Sequence, residues 1–249
     1  MHRTIHRMLL FADRNGKELL RDPLCIAFGA GFPLAVLLLL TAIQKNVPVP
    51  LFELTQLTPG ITVFGLSFLS LFSATTIARD RSSAFLQRLY TTPLRPVDFI
   101  FGYALPILPM VLLQGGICYV AALLLGLPPT VHIGSAIFGL LPVSLVYIGI
   151  GLLCGSLCTD KQVGGICGAL LTNLTAWLSG IWFDLELVGG TFAKVAYALP
   201  FAHAVELEKA VLSGDYSMVL PHLWWVLGYA VALLGAAVGG FLYQMRKNR

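Results

Sequence analysis

Arg79, Asp80 and Arg81, followed after three small residues by Phe85, Leu86, Gln87, Arg88, Leu89 and Tyr90, stand between two long apolar runs in a chain that otherwise avoids charge. The spacing predicts a short amphipathic helix, with Ser82 or Ser83 as its cap, Phe85/Leu89 and Leu86/Tyr90 as an apolar edge, and Pro93 stopping it after Thr92. A two-turn helix is not stable alone in water, so this one must be held by its own membrane part or by a partner. The chemistry on offer is gripping and not bond-making, because an aromatic-aliphatic edge ringed by arginine has the composition of an interface hot spot.

Constellations that make or break bonds are missing. No GxxxxGK[ST] or other phosphate-cradling glycine loop occurs, so this chain is not expected to hydrolyse ATP by itself. Gly65-Leu66-Ser67 faintly resembles a nucleophile motif, but His132, His203 and His222 fall at the outer ends of apolar runs, far from a serine partner. Cys154 and Cys158 are one helical turn apart, yet no His or carboxylate converges on them from a sequence neighbour. All five cysteines (Cys25, Cys118, Cys154, Cys158, Cys167) therefore read as packing residues and not as metal ligands. The sequon Asn173-Leu174-Thr175 lies deep in an apolar run, beyond a glycosyltransferase's reach.

The elements that must position the charged stretch follow from composition. Of 249 residues, 57% are hydrophobic and 11% charged, where a soluble domain has roughly 25% charged residues. Apolar runs of spanning length occur at 24–44, 58–78, 99–125, 133–157, 163–183 and 222–244, and none contains Asp, Glu, Lys or Arg. A proton relay through these spans is thereby disfavoured. With six spans the ends share a side, and that side collects 13 of the 16 Lys and Arg. Both termini are then expected in the cytoplasm. The acids divide six and six, and nothing in the charge arrangement suggests nucleic acid. The polar start is not expected to be a cleavable signal peptide.

Residues 4–21 read as an amphipathic helix, with Ile5, Met8, Leu9, Ala12, Leu19 and Leu20 at helical spacing and Asp13/Lys17 and Arg14/Glu18 as i,i+4 pairs. It is expected to lie in the membrane interface, the alternative being a solvated surface helix. Thr62, Ser70, Ser73 and Thr76 share one arc of the second run, opposite Phe64, Phe68 and Phe72. Gly165, Gly168, Ala169, Thr172, Thr175 and Ser179 share one arc of the fifth. Both arcs fit close helix packing, as do Gly151/Gly155 and Gly235/Gly239, and the hydroxyl arcs fit equally a substrate route. The 35 or so residues before the last span are too many for a plain connector. Pro200 at the start and Ser213-Gly214 at the stop mark a helix in them. Residues 184–218 are thus expected to form an external re-entrant helical hairpin, as a lid or as an interfacial anchor.

The whole chain resembles the permease subunits of ABC-2 type transporters. "RNGKELLRDP" (Arg14 to Pro23) is similar to that family's interfacial helix, and "LTPGITVFGLSF" (Leu57 to Phe68) to its second span. "IARDRSSAFLQRLYTTPLRPVDFIFGY" (Ile77 to Tyr103) resembles its arginine/acid pair, Leu-x-x-Leu-like helix, Thr-Pro-Leu turn and glycine opening the third span. "LPFAHAVELEKAVLSGD" (Leu199 to Asp215) is similar to its external segment. Ser82-Ser83-Ala84 departs from the family's acid and glycine, and Phe183-Asp184 from its proline.

The resemblance implies an all-α membrane protein: one transmembrane domain over 1–249, six helices, an interfacial N-terminal helix, a coupling loop at 79–98 and the external hairpin. It also implies two permease chains in the cytoplasmic membrane, each docking an ATP-binding cassette subunit that carries the ATP and magnesium. Docking would use the N-terminal helix (Arg14, Glu18) and residues 79–92. Spans two and five would face the route and the second permease chain. The charge-free interior favours export of a hydrophobic or amphipathic compound, and a non-transporting scaffold or immunity subunit is the alternative reading.

Overall fold

Lipid tails are as apolar as leucine, so helices in a membrane gain little by hiding leucines from it, and close backbone approach at small residues supplies the attraction instead. The computed structural model describes residues 2–83 and 96–247, and every regular element among them is helical. In chain order these are α1 (His2–Arg21), α2 (Pro23–Gln44), α3 (Leu54–Ser82), α4 (Pro96–Ala104), α5 (Ile107–Leu125) and α6 (His132–Leu157). Helix α7 covers 160–178 as Asp160–Val163, the π-helical Gly164–Leu171 and Thr172–Leu178. Three shorter elements follow, α8 (Leu185–Val188), α9 (Gly190–Ala198) and α10 (Pro200–Ser213), before α11 (Tyr216–Lys247).

Among the described residues, Pro23–Gln44, Leu54–Ser82, Val97–Leu125, His132–Leu157 and Tyr216–Met245 are long and apolar enough to cross a membrane. The fifth run of the sequence, 163–183, does not join them. Its helix opens on Asp160, Lys161 and Gln162 and stops at Leu178, before Gly180 takes a left-handed φ of 73°. A polar start and an early glycine turn shorten its apolar part from both sides.

Helix α3 is the axis of the bundle and is buried along most of its length. It meets α6 through Gly151 and Gly155. A Cβ on Gly151 would lie 2.1 Å from Ser73 Oγ and 2.4 Å from the Ser70 carbonyl oxygen, and one on Gly155 would lie 2.5 Å from the Ala74 carbonyl oxygen. The hydroxyl arc of α3 is therefore part of a helix seam, with Thr62, Ser67 and Ser73 returning their hydroxyls to their own backbone at 2.7–2.9 Å. Gly235 and Gly239 differ from the expectation: nothing approaches a Cβ within 4 Å of either, because they fall on the exposed side of α11. On α2, π-helical turns over Ala27–Gly31 precede Pro33, which lacks an N–H and would crowd the carbonyl one turn back in a regular helix. Its ring packs at Gly65, where a Cβ would be 2.8 Å from Pro33 Cγ and 2.2 Å from Gln114 Nε2, so Gly65-Leu66-Ser67 is a packing site.

The last connection folds back into the bundle. Helix α10 has Pro200 in its first turn and Gly214 as its left-handed cap at φ 76°. It lies against α3, α6 and α11 at the end of the bundle away from the two termini. Helix α9 runs beside it as the other arm of the hairpin.

Candidate functional site

Residues 84–95 are flanked by the end of α3 and the start of α4, so the way those two ends are held decides what a push on the segment can move. Phe85, Leu86, Gln87, Arg88, Leu89 and Tyr90 lie outside the described residues. Their flanks do not. Arg79, Asp80 and Arg81, expected to have left the span, form the last turn of α3, and the Ser82 and Ser83 hydroxyls donate back to the Arg79 and Asp80 carbonyls, each at 2.8 Å.

These three residues divide the work. Asp80 turns inward and is buried. Arg14 of α1 donates from both guanidinium ends to its two oxygens at 2.6 and 3.0 Å, and Tyr103 of α4 donates its hydroxyl at 2.9 Å. One carboxylate thus ties three helices. Arg81 donates to the carbonyls of Ser156 and Cys158, which the end of α6 leaves without helical partners. Arg79 stands 4.0 Å from Asp22, more than half exposed, a pair that contributes little in water.

Helix α1 is seated on α4 by more than charge. Asn15 donates from Nδ2 to the Gly102 carbonyl at 3.0 Å, and the Phe11 ring meets Phe99 and Tyr103 edge-on at 5.8 and 4.9 Å. Gly102 leaves room for that ring, since a Cβ there would be 2.3 Å from it. Gly102→Ala is therefore expected to loosen α1 by about 1–3 kcal/mol, the usual cost of overpacking. The readout is faster amide exchange in α1, and adding Phe11→Ala should remove most of the extra loss. The sequence pairs Asp13/Lys17 and Arg14/Glu18 both form, at 2.6 and 2.9 Å. Of the expected apolar face of α1, Ala12 and Leu19 are buried against the bundle while Leu9 and Leu20 are at least half exposed, and Phe11 and Asn15 join the buried side. Between α1 and the end of α3 opens a charged cleft of about 560 Å³, lined by Asp13, Lys17, Glu18, Asp22 and Arg79 among others.

The remaining singled-out residues are scattered along the bundle. Thr62, Ser70 and Ser73 are buried, and Thr76 is half-buried with its hydroxyl on the Phe72 carbonyl at 2.9 Å. On the fifth run, Gly165 faces open space, Gly168 touches Leu71 of α3, and Thr172 donates to the Cys167 carbonyl at 3.4 Å. Thr175 and Ser179 are buried with hydroxyls that make no hydrogen bond.

A second polar locus, at the opposite end, was not legible as a site. Glu208 of α10 is completely buried, with both carboxylate oxygens unpartnered. Burial pushes its carboxyl well above the usual carboxylate range. The available signal was its position on the helix: Ala204, Val205, Val211 and Leu212, three and four residues away, are all buried. Nearby, His203 places Nε2 at 2.9 Å from the Tyr197 carbonyl and Nδ1 at 2.9 Å from His222 Nδ1. A carbonyl only accepts, so His203 carries its proton on Nε2 and accepts from His222. The Trp225 ring stacks on His203 at 4.9 Å.

A bundle of helices, five of them long and apolar enough to cross a membrane, with a polar clamp gathering its ends, is the architecture of a membrane protein. The chain belongs to the ABC-2 type transporter family, whose profile matches residues 7–212. It is similar to the probable multidrug ABC transporter permease YbhR of Escherichia coli K12 and to its counterpart in strain O157:H7. Each is 22% identical over 207 residues, which are 83% of this chain and 55% of the relative. The chain thus spans about half the length of the curated relatives it matches.

Proposed function

We propose that this chain is the permease subunit of an ATP-driven exporter, moved by a separate ATP-binding subunit that docks at the end of the bundle carrying the termini. The observation that carries this reading is the Arg14–Asp80–Tyr103 clamp. It fixes both flanks of residues 84–95 and the N-terminal helix to one another, so that force applied there reaches α3, the helix at the centre of the bundle. The charged cleft beside α1 supplies a second contact surface. On this reading the chain crosses the cytoplasmic membrane six times, with 163–183 as the fifth crossing and both termini in the cytoplasm, and forms one transmembrane domain. Lipid surrounds it, a second permease chain completes the route, and ATP and magnesium stay on the partner. Arg79, Asp80, Arg81, Arg14 and Glu18 hold or flank the docking surface, and Phe85, Leu86, Gln87, Arg88, Leu89 and Tyr90 form it. The uncharged spans and the multidrug naming of the relatives support a hydrophobic or amphipathic cargo.

The test is co-purification with transport. The ATP-binding subunit is expected to co-purify with the wild-type chain, and Phe85→Asp with Leu89→Asp to abolish both the association and ATP-dependent export while leaving the chain in the membrane. Association and export that survive both substitutions would overturn the reading, and function without any nucleotide would favour a scaffold or immunity role.

A further inference from the structure

Glu208 is a buried acid without an ion partner, and its surroundings are fitted to it. Its Oε1 lies 2.9 Å from the point where a Cβ on Gly139 of α6 would stand, so the carboxyl occupies the notch that this glycine leaves. Gly139 is seven residues into α6, about 10 Å along the axis from its end. The Tyr119 hydroxyl of α5, buried beside Thr62 of α3, lies close enough to feel its charge.

Among the described residues no cation pairs with it. The neighbouring Lys209 pairs with Glu206 at 3.0 Å. Of the titratable groups on the helices that pack around α10, His132 of α6 lies at Gly214 and Tyr147 against Phe201, at the two ends of α10. His222 of α11 is taken by His203, and the Tyr229 hydroxyl donates to the Ala198 carbonyl at 2.5 Å. Tyr197 of α9 stacks edge-on against His203, Lys194 makes no ion pair with Glu208, and of the first turns of α3 the buried polar residues are Thr58 and Thr62, Glu53 at its start being exposed. An ionised carboxylate in such a place costs far more than a neutral acid.

We propose that Glu208 is a proton-binding site that must be occupied for α10 to seat in the bundle. Seating takes one proton from bulk water onto a carboxylate oxygen, forming the O–H bond, and unseating returns it to water. Docking of the hairpin is thus linked to pH, a property independent of any ATP-binding subunit.

The sign follows from linkage. The seated acid binds its proton more tightly than the unseated one, whose pKa is about 4.3. Seating is therefore at full strength below that value and weakens about tenfold per pH unit above it, until the seated pKa is reached. The His203–His222 contact has the opposite sense, since acid would place protons on both facing nitrogens, so the window to use lies above about pH 6.5.

The experiment is hydrogen–deuterium exchange on the whole chain in lipid nanodiscs from about pH 6.5 to 8.5, each amide normalised to its intrinsic rate. For the wild type, opening of Pro200–Ser213 is expected to rise with pH, by up to about tenfold per unit, with His132–Leu157 unchanged. Glu208→Gln, neutral throughout, is expected to remove the slope. Infrared spectroscopy of the wild type should also reveal the C=O band of a protonated buried acid at pH 6.5, which decides the matter if Glu208→Gln fails to fold. A flat wild-type profile, an unchanged slope in Glu208→Gln, or a carboxylate band alone at pH 6.5 would overturn the proposal.

Discussion

Replacing Arg14 with Ala is expected to destabilise the purified chain by about 2–4 kcal/mol, while Asp80→Asn costs about 1 kcal/mol. The asymmetry comes from what each change leaves behind. Removing Arg14 strands a carboxylate whose side chain is 6% exposed, with the Tyr103 hydroxyl still donating to it. Burying a charge without its counter-ion is what makes half of a buried pair costly. The low end of the range applies because the Arg14 side chain is 38% exposed, so solvent already screens part of the attraction. Asparagine at position 80 keeps the shape and accepts from Tyr103, and Arg14 retains Glu18 at 2.9 Å and Asn15 at 2.8 Å. Arg14→Lys should fall between, since a point ammonium does not reproduce the two-pronged contact. Thermal unfolding in detergent, with exchange of α1 amides beside it, measures the order. Equal losses for Arg14→Ala and Asp80→Asn would mean that the clamp is a surface pair.

Part of the clamp's membership was legible: Asp80 and Arg81 are charges bordering an apolar run, and Arg14 stands on the polar face of an amphipathic helix. Their mutual pairing was not legible. Arg14 and Asp80 are 66 positions apart, and the local pattern offered Arg14 a nearer partner in Glu18, which it also uses. Phe11 and Asn15 were missed for the same reason, since their partner is the glycine notch at Gly102, 87 positions from Asn15. Element boundaries set by local chemistry, such as Pro200 and Gly214 around α10, could be read directly. The fifth run could not, because hydropathy does not register that Gly180 turns the chain left-handed after Leu178. Glu208 escaped because a search for charges within apolar runs of spanning length passes over a 14-residue helix that also carries Glu206 and Lys209, although its neighbours three and four residues away are all buried.

The glycine pairs make the sharpest contrast, because the same spacing has opposite consequences on two helices. Gly155→Ala is expected to cost about 2–3 kcal/mol, near the upper part of the overpacking range. The new methyl would meet the Ala74 carbonyl oxygen at 2.5 Å and the Ala74 Cα at 3.0 Å, backbone atoms that cannot swing aside. Gly151→Ala meets the Ser70 carbonyl oxygen at 2.4 Å and belongs to the same class. Relief requires α3 and α6 to separate, and α3 is buried along most of its length. Alanine's better helix propensity returns at most about 1 kcal/mol, too little to change the sign. At Gly235 and Gly239 that propensity meets no opposing contact within 4 Å, so Gly235→Ala and Gly239→Ala should be neutral or slightly stabilising. Unfolding midpoints of the four single variants decide it, and a loss at Gly239→Ala equal to that at Gly155→Ala would refute the packing described for α11. Agreement would place the chain's rigid seam between α3 and α6, so that a displacement of the Asp80 end of α3 carries α6 with it and does not dissipate in the bundle.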